Sequence, residues 1–189
     1  MKILFTGFMP FNGGPTNPSY DCLKNMPQTV DGATIVTAEL PVVFGEAPQA
    51  LQALLETLKP DCVVCLGLAA NRKKITPEKV GINFAHASIP DNAGFQPVHQ
   101  PLIPGGPDAY FSTLPLEKIL NTLEQAKIPA ELSLSAGSYV CNCILYHLLT
   151  WATPRNIPAG FIHVPPETEM PLEQITQAMV EVAKVLAAQ

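Results

Sequence analysis

A chain of 189 residues, 47% apolar and 14% charged, is long enough to bury one core and too apolar for disorder. Its formal net charge of −5, with no lysine or arginine cluster, leaves no electrostatic footprint for nucleic acid or for an anionic membrane. No apolar run approaches the roughly 20 residues of a membrane span, the apolar start at Ile3-Leu4-Phe5 is too short for a signal-peptide core, and an odd count of five cysteines argues against a disulfide framework and for a reducing cytoplasm. One domain over 1–189 is the expectation.

In chain order, Lys2 to Gly7 reads as a short buried strand, followed by a Pro/Gly loop that carries Phe8 and Phe11. Aromatics placed there either plug the core or, at the carboxyl end of a central strand, line a site. Asn17-Pro18 supplies an N-cap and a first-turn proline for a helix over 18–26. Residues 33–40 alternate with β-branched side chains and predict a strand; Ala50, Leu51, Leu54, Leu55 and Leu58 recur at helical spacing over 46–58. The apolar run 61–67 then predicts a strand buried on both faces. Within it Cys62 and Cys65 point to opposite faces, so two structural thiols are a better reading than a zinc pair.

Residues 69–110 are polar and proline-rich, with one short candidate strand at 80–83. Such a stretch in a compact domain signals a binding loop or a subunit contact, and Arg72, Glu78 and Asp91 stand out in it; Glu78 also reads as a first-turn helix charge after Pro77, and Asp91 as a turn residue. A helix over 116–126, a strand over 130–134, a strand over 159–165 and a helix over 171–188 complete a three-layer α/β/α sandwich with a mainly parallel, twisted sheet.

Between the last two strands, Ser135-Ala136-Gly137-Ser138-Tyr139-Val140-Cys141-Asn142 breaks an extended run and delivers a cysteine to the start of an apolar helix. A helix N-terminus favours thiolate and offers N–H groups to an oxyanion, so a lowered Cys141 pKa is expected; a plain buried cysteine is the alternative. Cys143 and His147 lie at i, i+4 but lack further ligands for a metal. A histidine among apolar residues at a strand end, His163, is either a hydrogen-bonded core residue or the partner of that cysteine, and with a loop carboxylate the three residue types can form a Cys-His-acid set.

Several separate stretches, Thr6-Gly7-Phe8-Met9-Pro10-Phe11, Ile75-Thr76-Pro77-Glu78, Ile89-Pro90-Asp91-Asn92, the cysteine stretch and Gly160-Phe161-Ile162-His163-Val164-Pro165, occur in the order found in the pyroglutamyl peptidase I family of cysteine peptidases. The chain resembles that family over nearly its full length. The resemblance implies that Cys141 is the nucleophile, His163 the general base and acid, and Glu78 the residue that supports the imidazolium. It implies that Phe8 and Phe11 enclose a pyroglutamyl ring, with Leu68, Val140 and Ser88 as further substrate-side positions. It implies an omega-peptidase without cofactor or metal that acts on peptides with an N-terminal pyroglutamate, assembled as a homo-oligomer, tetramer or dimer. Two positions depart from the family pattern: Leu68 stands where Gln is common, and Ser88 where Arg is common. Those departures keep open a cysteine hydrolase with altered acyl specificity or weak activity, and a non-catalytic ligand-binding homologue.

Overall fold

The computed structural model describes residues 1–189. Strand β1 (Lys2–Phe8) is followed by α1 (Pro18–Lys24), β2 (Thr29–Val30), β3 (Ala33–Leu40), α2 (Ala47–Leu58) and β4 (Cys62–Leu68). Next come β5 (Thr76–Pro77), β6 (Val80–Ile82), β7 (Ala109–Phe111), α3 (Leu116–Gln125), α4 (Val140–Ala152), β8 (Ala159–Val164) and α5 (Leu172–Ala187). The main sheet has the order β2-β3-β1-β4-β8-β5. Its four central strands run parallel, and antiparallel β2 and β5 close the edges.

Apolar runs on the central strands serve two cores at once. Ile3, Phe5, Cys62, Val64, Ile162 and Val164 face α1, α3 and α5, whereas Leu4, Val63, Cys65 and Phe161 face α2 and α4. Three layers result, and Cys62 and Cys65 fall on opposite faces as their spacing predicts. Asn17 caps α1 by accepting the Ser19 N–H through Oδ1 at 3.1 Å. No helix is long and apolar enough to cross a membrane.

The strand expected over 130–134 does not form. Alternation is present there, but Leu132 and Leu134 are 44% and 70% exposed, and the segment pairs with the β5 region through isolated parallel bridges, Ile75 to Ala130 and Glu78 to Ser133, with the Glu131 and Ser133 N–H groups donating to Ile75 O and Pro77 O. A side-chain period of two identifies a strand only when one of its faces is buried. The 80–83 expectation is met by β6, whose partner β7 carries no clear strand pattern of its own.

The chain leaves β1 to build β3 on one side, then crosses to build β4 on the other. That reversal puts the carboxyl ends of β1 and β4 at a switch point, where a crevice opens in sheets of this kind.

Candidate active site

Phe8 ends β1, Leu68 ends β4, and Val140 and Cys141 begin α4. These four, with Phe11, Val42, Tyr139 and Asn17, line a shallow cavity of about 40 Å³ at the switch point. Phe8 and Val140 are buried, whereas Phe11, Leu68 and Cys141 are half-buried. Both amide atoms of Asn17 are already used, Nδ2 donating to Met9 O at 2.9 Å and Oδ1 accepting from Ser19. The cavity therefore offers aromatic and aliphatic walls and no free charge. A groove of about 590 Å³ between α2 and α4 is larger but contains none of Cys141, His163 or Glu78, so size does not mark the chemistry.

Gly137, with φ +76°, makes the left-handed turn that precedes α4; a side chain there would be strained. The first intrahelical bond runs from Cys143 N–H to Tyr139 O at 3.1 Å, and the N–H groups of Val140, Cys141 and Asn142 have no partner in the chain. Cys141 thus sits beside unpaired first-turn donors, as its sequence setting predicts. Its thiol packs over Gly67, where an added Cβ would lie 2.7 Å from Sγ. Gly67 is the register partner of His163 across β4 and β8, so the missing side chain makes room for the thiol on the strand pair that carries the histidine.

The carboxylate comes from the sheet edge. Thr76 pairs with His163 and Pro77 with Ile162, and Glu78 N–H donates to Phe161 O at 2.9 Å. Two residues beyond Thr76, Glu78 points to the same face as His163, and its Oε1 accepts from His163 Nδ1 at 2.7 Å. Glu78 is a sheet-edge residue, not a helix first-turn charge. Because a carboxylate only accepts, Nδ1 carries the proton and Nε2 is left as the basic nitrogen.

Arg72, a residue without an assigned role in the sequence, completes the network. Its Nη1 donates to Glu78 Oε1 and to Thr76 Oγ1, each at 2.6 Å, and Nη2 donates to Ser135 O at 2.9 Å. Burial alone would raise the Glu78 pKa, but the bond and charge of His163, the nearby Ser133 hydroxyl and Arg72 outweigh it and hold the carboxyl below its ordinary value. Glu78 Oε2 has no hydrogen-bond partner. Burial pulls His163 below the ordinary imidazole value; Glu78 opposes that shift, and the charge of Arg72 adds to it.

The thiolate-favouring effect of the helix start is opposed by burial at Cys141. Although the residue is half-buried as a whole, desolvation and then the Glu78 charge push its thiol up to about 12, against smaller opposing effects from Arg72 and its own N–H. Both shifts favour the uncharged forms of thiol and imidazole.

Asn142 escaped the sequence reading. It is buried, donates through Nδ2 to Ile82 O and Phe84 O at 2.9 and 3.0 Å, and accepts the Ile82 N–H at 3.0 Å. A lone amide in an apolar helix was the signal available: it clips β6 to α4 just behind the cysteine. Asp91 is also buried and holds loop backbone, accepting from the N–H groups of Phe44, Ala93 and Phe95. Ser88 is exposed and does not line the cavity. The neighbouring Pro90 nevertheless reaches the site, its carbonyl accepting from Tyr139 OH at 3.0 Å. Cys143 is buried with its thiol 3.9 Å from Phe44 O, and no three His, Cys, Asp or Glu side chains converge as a metal site.

The sequence profile of pyroglutamyl peptidase matches residues 1–188. The chain is 45% identical over 168 residues to the pyrrolidone-carboxylate peptidase of Levilactobacillus brevis, covering 87% of this chain and 82% of that protein. It is 41% identical to the pyrrolidone-carboxylate peptidase of Thermococcus onnurineus, covering 94% of each. Among solved structures, pyroglutamyl peptidase I of Bacillus amyloliquefaciens superimposes with a TM-score of 0.94 at 38% identity over 100% of this chain and 97% of that one. With fold and profile in agreement, the chain belongs to the pyroglutamyl peptidase family.

Proposed function

We propose that this chain is a cysteine omega-peptidase that hydrolyses the bond after an N-terminal pyroglutamyl residue, with Cys141 as nucleophile, His163 as general base and acid, and Glu78 as the support of the imidazolium. The observation that carries the reading is the Glu78–His163 hydrogen bond on the strand pair over whose Gly67 the Cys141 thiol packs, a thiol that also borders the apolar cavity.

With burial favouring the uncharged thiol and imidazole, the reaction begins with proton transfer. Nε2 of His163 takes the Sγ proton as sulfur bonds to the scissile carbonyl carbon. Glu78, ionised and held at Nδ1, stabilises the imidazolium that forms. The oxyanion lies toward the unpaired N–H groups at the start of α4. The imidazolium then gives its proton to the departing amine, the C–N bond breaks, and a thioester is left on Cys141. Water loses a proton to His163, adds to the thioester carbonyl, and pyroglutamate leaves as the thiol is restored.

Selectivity has the same physical basis. A pyroglutamyl group is a neutral lactam, whereas an ordinary N-terminus would bring an ammonium between Phe8, Phe11 and Leu68, with no carboxylate on the cavity wall to pair it; burying an unpaired charge costs several kcal/mol. A cytoplasmic setting is part of the proposal, supported by five unpaired thiols. So is a homo-oligomer, supported by the exposed apolar side chains of Phe84, Phe95, Val98 and Phe111.

Release of a fluorophore from pyroglutamyl and prolyl amides by wild type and Cys141→Ser tests the reading. Turnover of the pyroglutamyl amide that disappears in the variant supports it. Thiol-dependent turnover of another acyl amide alone would indicate altered specificity, and saturable ligand binding without turnover would indicate a binding protein.

A further inference from the structure

Arg72 holds the Cys-His-Glu set from outside. It leaves the β4–β5 connection after a turn closed by Arg72 N–H to Ala69 O at 3.0 Å, and its side chain is 28% exposed while the Glu78 side chain it meets is fully buried. One guanidinium makes three attachments. Nη1 shares Glu78 Oε1 with His163 Nδ1; the same nitrogen reaches Thr76, the backbone partner of His163; and Nη2 holds Ser135 O, two residues before the Gly137 turn and six before Cys141. The carboxylate, the histidine strand and the cysteine loop are thus tied to a single cation.

We propose that Arg72 is a positioning residue of the hydrolase: its charge keeps the Glu78 carboxylate available to His163 Nδ1, and its second nitrogen sets the loop that delivers Cys141. The assignment rests on the reading above but is separable from it. A buried carboxylate with only a neutral imidazole beside it would tend to take up a proton. A protonated Glu78 could donate to Nδ1 and reverse the imidazole tautomer, removing the basic nitrogen from the thiol side. A guanidinium on the same oxygen opposes that reversal, and its fork geometry leaves a nitrogen over for Ser135 O.

The charged and titratable groups facing this pair are Arg72 from the β4–β5 connection and Cys141 from α4, with the Ser133 hydroxyl alongside. Arg72 lowers both Glu78 and His163. Its removal therefore raises both, and the acid limb of the rate profile, which reports formation of neutral His163 beside ionised Glu78, moves to higher pH.

The experiment compares kcat, KM and their pH profiles for pyroglutamyl amide hydrolysis by wild type, Arg72→Gln and Arg72→Lys, with thermal melting on each. The Gln variant should lose about tenfold to a hundredfold in kcat, the scale of one charge-assisted hydrogen bond, with KM within about threefold and the acid limb displaced upward. The Lys variant keeps the charge but not the fork, so it should restore the acid limb while recovering only part of kcat. If Gln and Lys variants share one acid limb and one kcat, the charge is immaterial and the proposal fails. Should the Gln variant not fold, the Lys variant decides: a displaced acid limb overturns the proposal, and an unmoved limb with reduced kcat supports it. If wild type itself turns over no pyroglutamyl amide, the hydrolase reading fails separately. Alkylation of Cys141 by iodoacetamide then carries the Arg72 test without substrate, slower alkylation near neutral pH in the Gln than in the Lys variant supporting the proposal and equal rates refuting it.

Discussion

Glu78 and His163 are joined to each other and to Arg72 through a single carboxylate oxygen, whereas the cavity beside them has apolar walls and one amide already committed to the backbone. The two regions meet at Cys141 and are built by opposite means. Polar convergence makes the chemical half sensitive to single atoms, since a buried charge that loses a partner costs far more than the bond was worth in water. Apolar enclosure makes the ring-binding half tolerant, since each wall contributes in proportion to area and can be exchanged for another of similar volume. Substitutions should therefore separate the halves, kcat following the network and KM following the walls.

The steepest loss in the network is expected at Glu78→Gln, where the neutral amide can present a donor to Nδ1 and select the wrong imidazole tautomer; kcat should fall by about 10²–10⁴-fold. A KM within a few-fold of wild type would place the effect in chemistry. Gly67→Ala comes next. Its methyl would stand 2.7 Å from the Cys141 sulfur and equally close to the Phe161 ring, and a nucleophile displaced by about 1 Å loses about 10²-fold in rate. Iodoacetamide kinetics would confirm that the thiol itself has moved.

Acidity and alkalinity strain the same buried groups in the folded state. Cys22, Cys62, Cys65, Cys141 and Cys143 are all pushed up to about 12 by burial. Their raised values mean that the unfolded chain sheds protons near the ordinary thiol value while the folded chain keeps them. Stability is therefore complete below that value and falls as pH rises toward 12. His163 and His147 are shifted the other way, lowered by burial; the unfolded chain gains protons first as pH falls through the ordinary imidazole range, and stability falls again. Urea midpoints measured across pH should trace a maximum between these limits.

The smallest effect belongs to the wall. Leu68→Gln brings hydrogen-bonding capacity toward a lactam and should lower KM by up to about tenfold, the scale of one neutral hydrogen bond of about 0.5–1.5 kcal/mol, with little change in kcat. An equal change in kcat would blur the division between the two halves.

Most of the fold was legible because its strands are apolar on both faces and its helices keep one apolar stripe, so β4, β8, α2 and α5 could be read to within a residue or two of their ends. Segment 130–134 misled because alternation carries no information on which face is covered. Cys141, His163, Glu78, Phe8 and Phe11 were singled out through motif order, not through spacing; the fold joins Glu78 to His163 and sets Phe8, Phe11 and Cys141 around one cavity. Arg72 stood out without a role and Asn142 not at all, since their meaning lies in partners up to 63 and 60 residues away. The burial that opposes a lowered Cys141 pKa was not legible for a related reason: the helix start is local and visible in sequence, while burial and the Glu78 charge come from tertiary structure.

The most direct test of the central claim is rapid quenching of wild type during turnover of a pyroglutamyl p-nitroanilide, followed by mass spectrometry of the peptides. A pyroglutamyl group on the peptide containing Cys141, absent when His163 is replaced by alanine, is the predicted result. An acyl group on any other residue, or full turnover by Cys141→Ala, would contradict the account.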